Sequence, residues 1–213
     1  MEESSLSTRE HIIHMLKTNG ELSAKTIAEQ LGITGMAVRR HIDALERDGY
    51  IDSRTLRQAM GRPTAMYRLT PQADKFFPKK YQTLALDLLG ELGRESGDEM
   101  INLLFQRRQE GLFNKYTAAM HNKDLADRVS QLARIQNENG YMVHYEQEGP
   151  DEFVLQEYNC PISDVANEYG QACQCELNLF RSLLGADVTR TECLAKGGQK
   201  CVYRIKRAKE KKQ

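Results

Sequence analysis

The stretch TGMAVRRHIDALERDGY, residues 34–50, decides the fold of the N-terminal part of the chain. Thr34 supplies a helix N-cap, because a threonine hydroxyl accepts from the free amides of the first turn. Val38, Ile42 and Leu45 follow at helical spacing and make one apolar face. Gly49 closes the helix by tolerating the left-handed backbone that often ends one. Met36, Ala37, Arg39, Arg40 and His41 then fall on or near the opposite face. A short helix that is apolar inside and basic outside suits insertion into a groove of DNA.

Upstream, Ser23 caps a helix carrying Ile27, Ala28 and Leu31, and Gly32 ends it. Earlier still, Ser7-x-x-Glu10 has the form of a capping box ahead of Ile12, Ile13, Met15 and Leu16, a helix that stops near Asn19-Gly20. Two short helices joined by a tight glycine-containing turn make a helix-turn-helix. Downstream, Tyr50-Ile51 opens a strand and Met66 to Leu69 closes another. Between them the run from Arg54 to Pro63 is cationic with a Gly-Pro tip, the pattern of a wing. The spacing therefore predicts a winged helix-turn-helix over residues 1–80. Its third helix would enter the major groove, and its wing would cross the backbone or the minor groove. Candidate DNA-contacting residues are Thr34, Met36, Ala37, Arg39, Arg40, His41 and Arg62. Arginine can bind guanine or phosphate with two parallel hydrogen bonds, and Thr34 at a helix N-terminus suits phosphate.

Charge follows the same division. The 213 residues sum to zero, but residues 1–80 hold 13 Lys and Arg against 10 Asp and Glu, a net +3. Residues 81–203 hold 11 against 19, a net −8, and residues 204–213 hold 6 against 1, a net +5. A basic head on an acidic body suits a protein whose head alone approaches phosphates. No apolar run is long enough to span a bilayer, and the acidic, polar start MEESSLSTRE lacks the apolar core of a secretory signal. These readings predict a cytoplasmic protein with no membrane partner.

The five cysteines, Cys160, Cys173, Cys175, Cys193 and Cys201, all lie beyond residue 159. In a reducing compartment, clustered thiols favour metal binding or redox sensing over structural disulfides. The odd count points the same way. Residues 81–140 read as helices whose apolar clusters are separated by Gly90, Gly93 and Gly97, with further helical stretches near 107–120 and 123–138. Residues 142–146 and 152–158 alternate as a strand pair about Gly149-Pro150, with His144 as an ordinary strand residue. A helix is predicted from about Ile162 to Leu184, and strands over 187–195 and 199–207 about the Lys196-Gly197-Gly198-Gln199 turn.

The expected class is thus α+β: a winged head (1–80), a helical linker or dimerisation region (81–140), a small α/β cysteine-containing sensor domain (141–207) and a basic tail (208–213). On one helix Cys173 and Cys175 diverge by about 200°, so both are not expected on one metal. A three-residue turn at 197–199 would put Cys193 and Cys201 on one face of their hairpin; a two- or four-residue turn would separate them.

The head, through Ala37 to Leu45 and Gly61 to Thr70, resembles bacterial winged-helix repressors. The C-terminal module is more specific. Asn159-Cys160-Pro161-Ile162-Ser163, Cys173-x-x-Glu176-Leu177-x-x-Phe180, Arg190-Thr191 and Cys201-x-Tyr203-x-Ile205 resemble the SufR family of iron–sulfur-sensing repressors. That resemblance implies a homodimeric repressor whose cysteines bind an iron–sulfur cluster, with Cys160, Cys173 and Cys201 matching family cysteines. A further family cysteine is expected near 186–187, where this chain has Ala186-Asp187. Cys193 is the candidate replacement, and Cys175 is a bystander. The Cys193-x7-Cys201 hairpin also resembles vinyl-reductase-like regulatory domains, which makes zinc with a small-molecule effector the alternative. An enzyme is not expected, since phosphate loop, nucleophile elbow and HExxH are all missing from the sequence. The reading is a DNA-binding transcriptional regulator, a repressor acting on a double-stranded operator.

Overall fold

A computed structural model describes residues 6–57 and 62–208. The chain divides into two compact units, 1–79 and 80–213.

The first unit begins with α1 (Thr8–Asn19), where Ser7 and Glu10 form the reciprocal capping box. The two-residue strand β1 (Leu22–Ser23) leads into α2 (Ala24–Leu31), capped by Ser23 and ended by left-handed Gly32. Next, α3 (Gly35–Arg47) is capped by Thr34, whose hydroxyl accepts from the Ala37 amide. β2 (Ile51–Leu56) and β3 (Thr64–Leu69) pair antiparallel, with Leu56 opposite Thr64, and β1 adds to the free edge of β3. Ile12, Ile13, Leu16, Ile27, Val38, Ile42, Leu45 and Ile51 form one buried core behind the three helices. The fold is the winged helix-turn-helix predicted. Residues 58–61 at the wing tip lie outside the described residues.

In the second unit, α4 runs from Tyr81 to Tyr116 but is broken at Gly97, whose φ of 75° and ψ of 176° are not helical. Gly90 and Gly93 do not interrupt it; they lie within its first arm. The two arms fold back on each other. In a straight helix Gly93 and Ile101 would be about 12 Å apart, yet a Cβ on Gly93 would lie 3.8 Å from Ile101 Cγ1. After α5 (Leu125–Glu138) come the hairpin β4 (Val143–Gly149) and β5 (Glu152–Glu157), the short helix α6 (Ser163–Glu168), α7 (Gly170–Leu184), β6 (Ala186–Glu192) and β7 (Cys201–Arg207). The sheet is wholly antiparallel in the order β4-β5-β7-β6. One face carries α5 and α7 over Phe153, Leu155, Val188, Tyr203 and Ile205.

Two local expectations change. The predicted 162–184 helix is two helices, because Tyr169 leaves helical backbone (φ −112°, ψ 89°) immediately before Gly170. The predicted strand to residue 195 stops at Glu192 after an irregularity at Arg190/Glu192, and Leu194–Lys196 forms a 3-10 turn. The predicted 199–207 strand forms as β7, where Arg204, Lys206 and Arg207 pair with Glu148, Glu152 and Asp151. The middle helices and the cysteine-bearing segment share one compact unit. Residues 209–213, most of the expected basic tail, lie outside the described residues.

Candidate functional sites: a nucleic-acid face and a thiol cluster

The outer face of α3 is set by its inner one. Val38, Ile42 and Leu45 are fully buried, so helical geometry turns Met36, Arg39 and Arg40 outward. Met36 is 83% exposed, an unusual position for a large apolar side chain. Arg39, Arg40 and Arg62 are exposed, while Ala37 and His41 are half-buried. The Thr34 hydroxyl is 3.2 Å from the Ala37 amide, so it holds the helix start and leaves the neighbouring amides for an anion.

Ion pairing sorts the arginines of this unit. Arg9 pairs with Asp48, Arg54 with Glu21, and Arg68 with Asp52 and Glu21. The Arg68 hydrogen bonds hold the Asp52 carboxyl below its usual range. Among the described residues no carboxylate within 4 Å pairs with Arg39, Arg40 or Arg62. Arg54 and Arg68 thus brace the sheet and Arg9 ties α1 to the end of α3, whereas the arginines on the outer face of α3 carry no such pair among the described residues.

The second site gathers cysteines from separate elements. Cys160 follows β5 at a turn in which its carbonyl accepts from the Ser163 amide at 3.1 Å. Cys173 sits in the first turn of α7, where its carbonyl accepts from Arg190 at 2.9 Å. Cys193 leaves the end of β6, and its carbonyl takes two amides, Lys196 and Gly198, each at 3.0 Å. Cys201 opens β7 opposite Glu157, and its sulfur accepts from the Leu194 amide at 3.4 Å.

Neither the same-face nor the opposite-face arrangement predicted for a continuous hairpin applies, because the ladder ends at Glu192 and Leu194–Lys196 forms a 3-10 turn. The compact 193–200 connection brings them together instead. Gly198 is essential to it: a Cβ there would lie 2.9 Å from the Cys193 carbonyl oxygen and 2.8 Å from Glu192 Cγ.

Cys173 Sγ lies 3.9 Å from Cys193 Sγ. A thiolate on Cys193 would repel one on Cys160, Cys173 or Cys201, so all four share a single electrostatic neighbourhood. Burial is the first cause that pushes the Cys160, Cys173 and Cys201 thiols up, the latter two to about 12. Cys175 turns away, as helix geometry requires. It is buried and receives a hydrogen bond from Arg108 at 3.8 Å. All five cysteines are free thiols.

Two acids behind the thiols, Glu157 buried and Glu176 half-buried, carry no sequence expectation. Glu157 accepts from Gln136 at 2.9 Å, and Tyr203 Oη stands 2.7 Å from Glu176 and 3.4 Å from Glu157. Desolvation first, then the charge of Glu176, holds Glu157 well above the usual carboxylate range. The signal was present in the sequence. Glu157 shares the inward register of Phe153 and Leu155, and Glu176 shares the inward face of α7 with Ala172 and Phe180.

The donor set suits a thiophilic metal. Sulfurs around a single tetrahedral ion with Zn–S near 2.3 Å stand about 3.8 Å apart, which the Cys173–Cys193 pair matches. Among the described residues no three His, Cys, Asp or Glu donors close on a common point.

Residues 8–57 match the family model described as an HTH domain. The head is a helix-turn-helix domain. Solved structures similar to the chain include ZitR of Lactococcus lactis, 25% identical over 55% of this chain and 79% of that one, with a TM-score of 0.29. They also include the adhesin competence repressor AdcR of Streptococcus pyogenes, 20% identical over 48% and 76%, with a TM-score of 0.30. The transcriptional regulator Tm0710 of Thermotoga maritima is 17% identical over 53% and 79%, with a TM-score of 0.32. A search of curated proteins finds no match. Among the described residues no helix is long and apolar enough to cross a membrane.

Proposed function

We propose that this protein is a DNA-binding transcriptional regulator, a homodimeric repressor that reads iron–sulfur or redox status through Cys160, Cys173, Cys193 and Cys201. The observation that carries the reading is the gathering of these four thiols from a strand end, a helix and a tight connection, with Cys175 excluded. Bound there, an iron–sulfur cluster would supply oxidant-labile ligation of the four thiolates. The chain supplies everything else. Burial favours the protonated form of Cys160, Cys173 and Cys201 when no cation offsets their charge, so metal binding there and proton release go together. Arg190 anchors the first turn of α7 to β6, and its charge favours the Cys173 thiolate. The 193–200 connection, held by the Cys193 carbonyl and the Glu192 carboxylate, keeps Cys193 and Cys201 together. Ligation ties β5, α7 and β7 to that connection and so selects among arrangements of the second unit.

The head acts by placing α3 in the major groove of a double-stranded operator, with Arg39, Arg40 and Arg62 on phosphates or bases. Repression by the metal-loaded form is tested by binding to a duplex selected from a random pool, before and after oxidant treatment. Loss of affinity on oxidation, reversed by anaerobic reconstitution with iron and sulfide, supports the reading; equal affinity throughout contradicts it. A second reading, zinc with a small-molecule effector, draws on the 3.9 Å Cys173–Cys193 spacing. It predicts binding that answers zinc chelation and not oxygen.

A further inference from the structure

An amphipathic helix that packs one face on its own core normally leaves a polar outer face. The first arm of α4 does not. Leu89 and Leu92 pack inward with Ile101, Phe105 and Tyr169, yet Tyr81, Leu84 and Leu88 point outward at 69%, 55% and 62% exposure. From the second arm Leu103 and Leu104 add 42% and 40%. Leu88 and Leu104 are about 24 Å apart along a straight helix. Because the arms fold back, both instead flank one apolar groove of ≈ 400 Å³, floored by Leu89 and Phe105.

These five side chains expose on the order of 500 Å² of mostly apolar surface, at the upper end of what monomers leave bare. Two such faces pressed together would bury roughly 1,000 Å², about the minimum for a specific interface. Charge says which partner fits. The turn end of the hairpin, 91–99, carries Glu91, Glu95, Asp98 and Glu99 against Arg94 alone. The other end carries Lys80, Arg107 and Arg108 against Asp87 and Glu110, with Arg107 already paired to Glu110 at 2.9 Å, so among the described residues Lys80 and Arg108 are its uncommitted cations toward a carboxylate. A two-fold axis through the leucines lays the acidic end of one hairpin on the basic end of the other. Self-complementarity of this kind is the requirement for an isologous contact.

We infer that the outer face of the α4 hairpin is the surface on which a second copy of this chain docks, antiparallel, with Leu84, Leu88 and Leu104 at its centre. The inference rests on the dimeric reading above and names its interface.

Sedimentation velocity on the full chain tests it, with and without bound metal, alongside circular dichroism. Leu88→Asp should weaken the dimer by about 100-fold or more and leave helicity and metal content unchanged. Glu95→Arg and Lys80→Glu should each weaken it by about tenfold, and the double variant should recover most of that loss. A wild-type chain that stays monomeric at high micromolar concentration overturns the dimeric reading itself. A wild-type dimer whose strength Leu88→Asp and the charge reversals leave unchanged overturns this face while sparing the dimer. Wild-type monomers that instead bind lipid vesicles or a different protein through these leucines also overturn it.

Discussion

Removing Arg40 tests the assignment of the DNA face. Arg40 is exposed on the outer side of α3 with no carboxylate within 4 Å among the described residues, so Arg40→Ala should not disturb the fold. If Arg40 meets phosphate, each head loses one neutralised contact, and the slope of log K against log salt falls by about 0.9 per head. If it reads a base edge, the loss is about 1–3 kcal/mol, roughly 5- to 150-fold in affinity, and specificity relaxes at one position. Arg54 and Arg68 are the internal controls. Both belong to the same unit, but Glu21 and Asp52 already hold them. Exposed pairs of this kind contribute no more than about 1 kcal/mol to stability, and their replacement by alanine should shift DNA affinity far less than Arg40→Ala. The assay is fluorescence anisotropy on a duplex selected from a random pool, titrated at several salt concentrations. Equal losses for Arg40→Ala and Arg54→Ala, or an unchanged salt slope with unchanged affinity for Arg40→Ala, would refute the assignment.

Further outcomes follow from the second unit. Gly198→Ala must move the Cys193 carbonyl or the Glu192 side chain, so it should lower metal content while the helical signal by circular dichroism stays near wild type; full metal occupancy would show that the connection does not position Cys193. Cys175→Ala should keep the metal and lose about 1 kcal/mol of stability as a small buried side chain, measured by urea unfolding. In metal-free protein the stability tied to the thiols should be whole below about pH 9 and decline as pH rises toward about 12. The unfolded thiols ionise near 9, whereas burial holds Cys173 and Cys201 protonated up to about 12. A flat urea midpoint across that window would contradict their burial. Glu157→Ala leaves the Gln136 amide without its acceptor and should cost about 1–3 kcal/mol, whereas Glu157→Gln should cost much less.

The head was legible because its signals are local. Ser7, Ser23 and Thr34 cap helices within three residues of themselves, and Gly32 ends one by its own backbone. The cysteine region was legible only in part. The separation of Cys173 from Cys175 follows from helical period alone. The break at Tyr169 does not, since Val165 to Phe180 keeps a helical apolar pattern across it. The geometry of Cys193 and Cys201 was hidden for a related reason. Turn-length arguments assume a ladder that continues to the turn, and here the ladder ends at Glu192. The carbonyl of Cys193 and the side chain of Glu192 then organise residues 196–200. Glu157 and Glu176 stood in inward registers that pattern reading could have flagged, but their pairing through Tyr203 is a tertiary fact.

The central claim is that four particular thiols hold an iron–sulfur group and the fifth does not. Iron, sulfide and zinc analysis with an absorption spectrum, on anaerobically isolated wild type and each single Cys→Ser variant, tests it most directly. The account predicts bound iron and sulfide with visible charge-transfer absorption in wild type and Cys175→Ser, and their loss in the variants at Cys160, Cys173, Cys193 and Cys201. A colourless, zinc-loaded wild type, or colour that survives at those four positions and vanishes with Cys175, would contradict it.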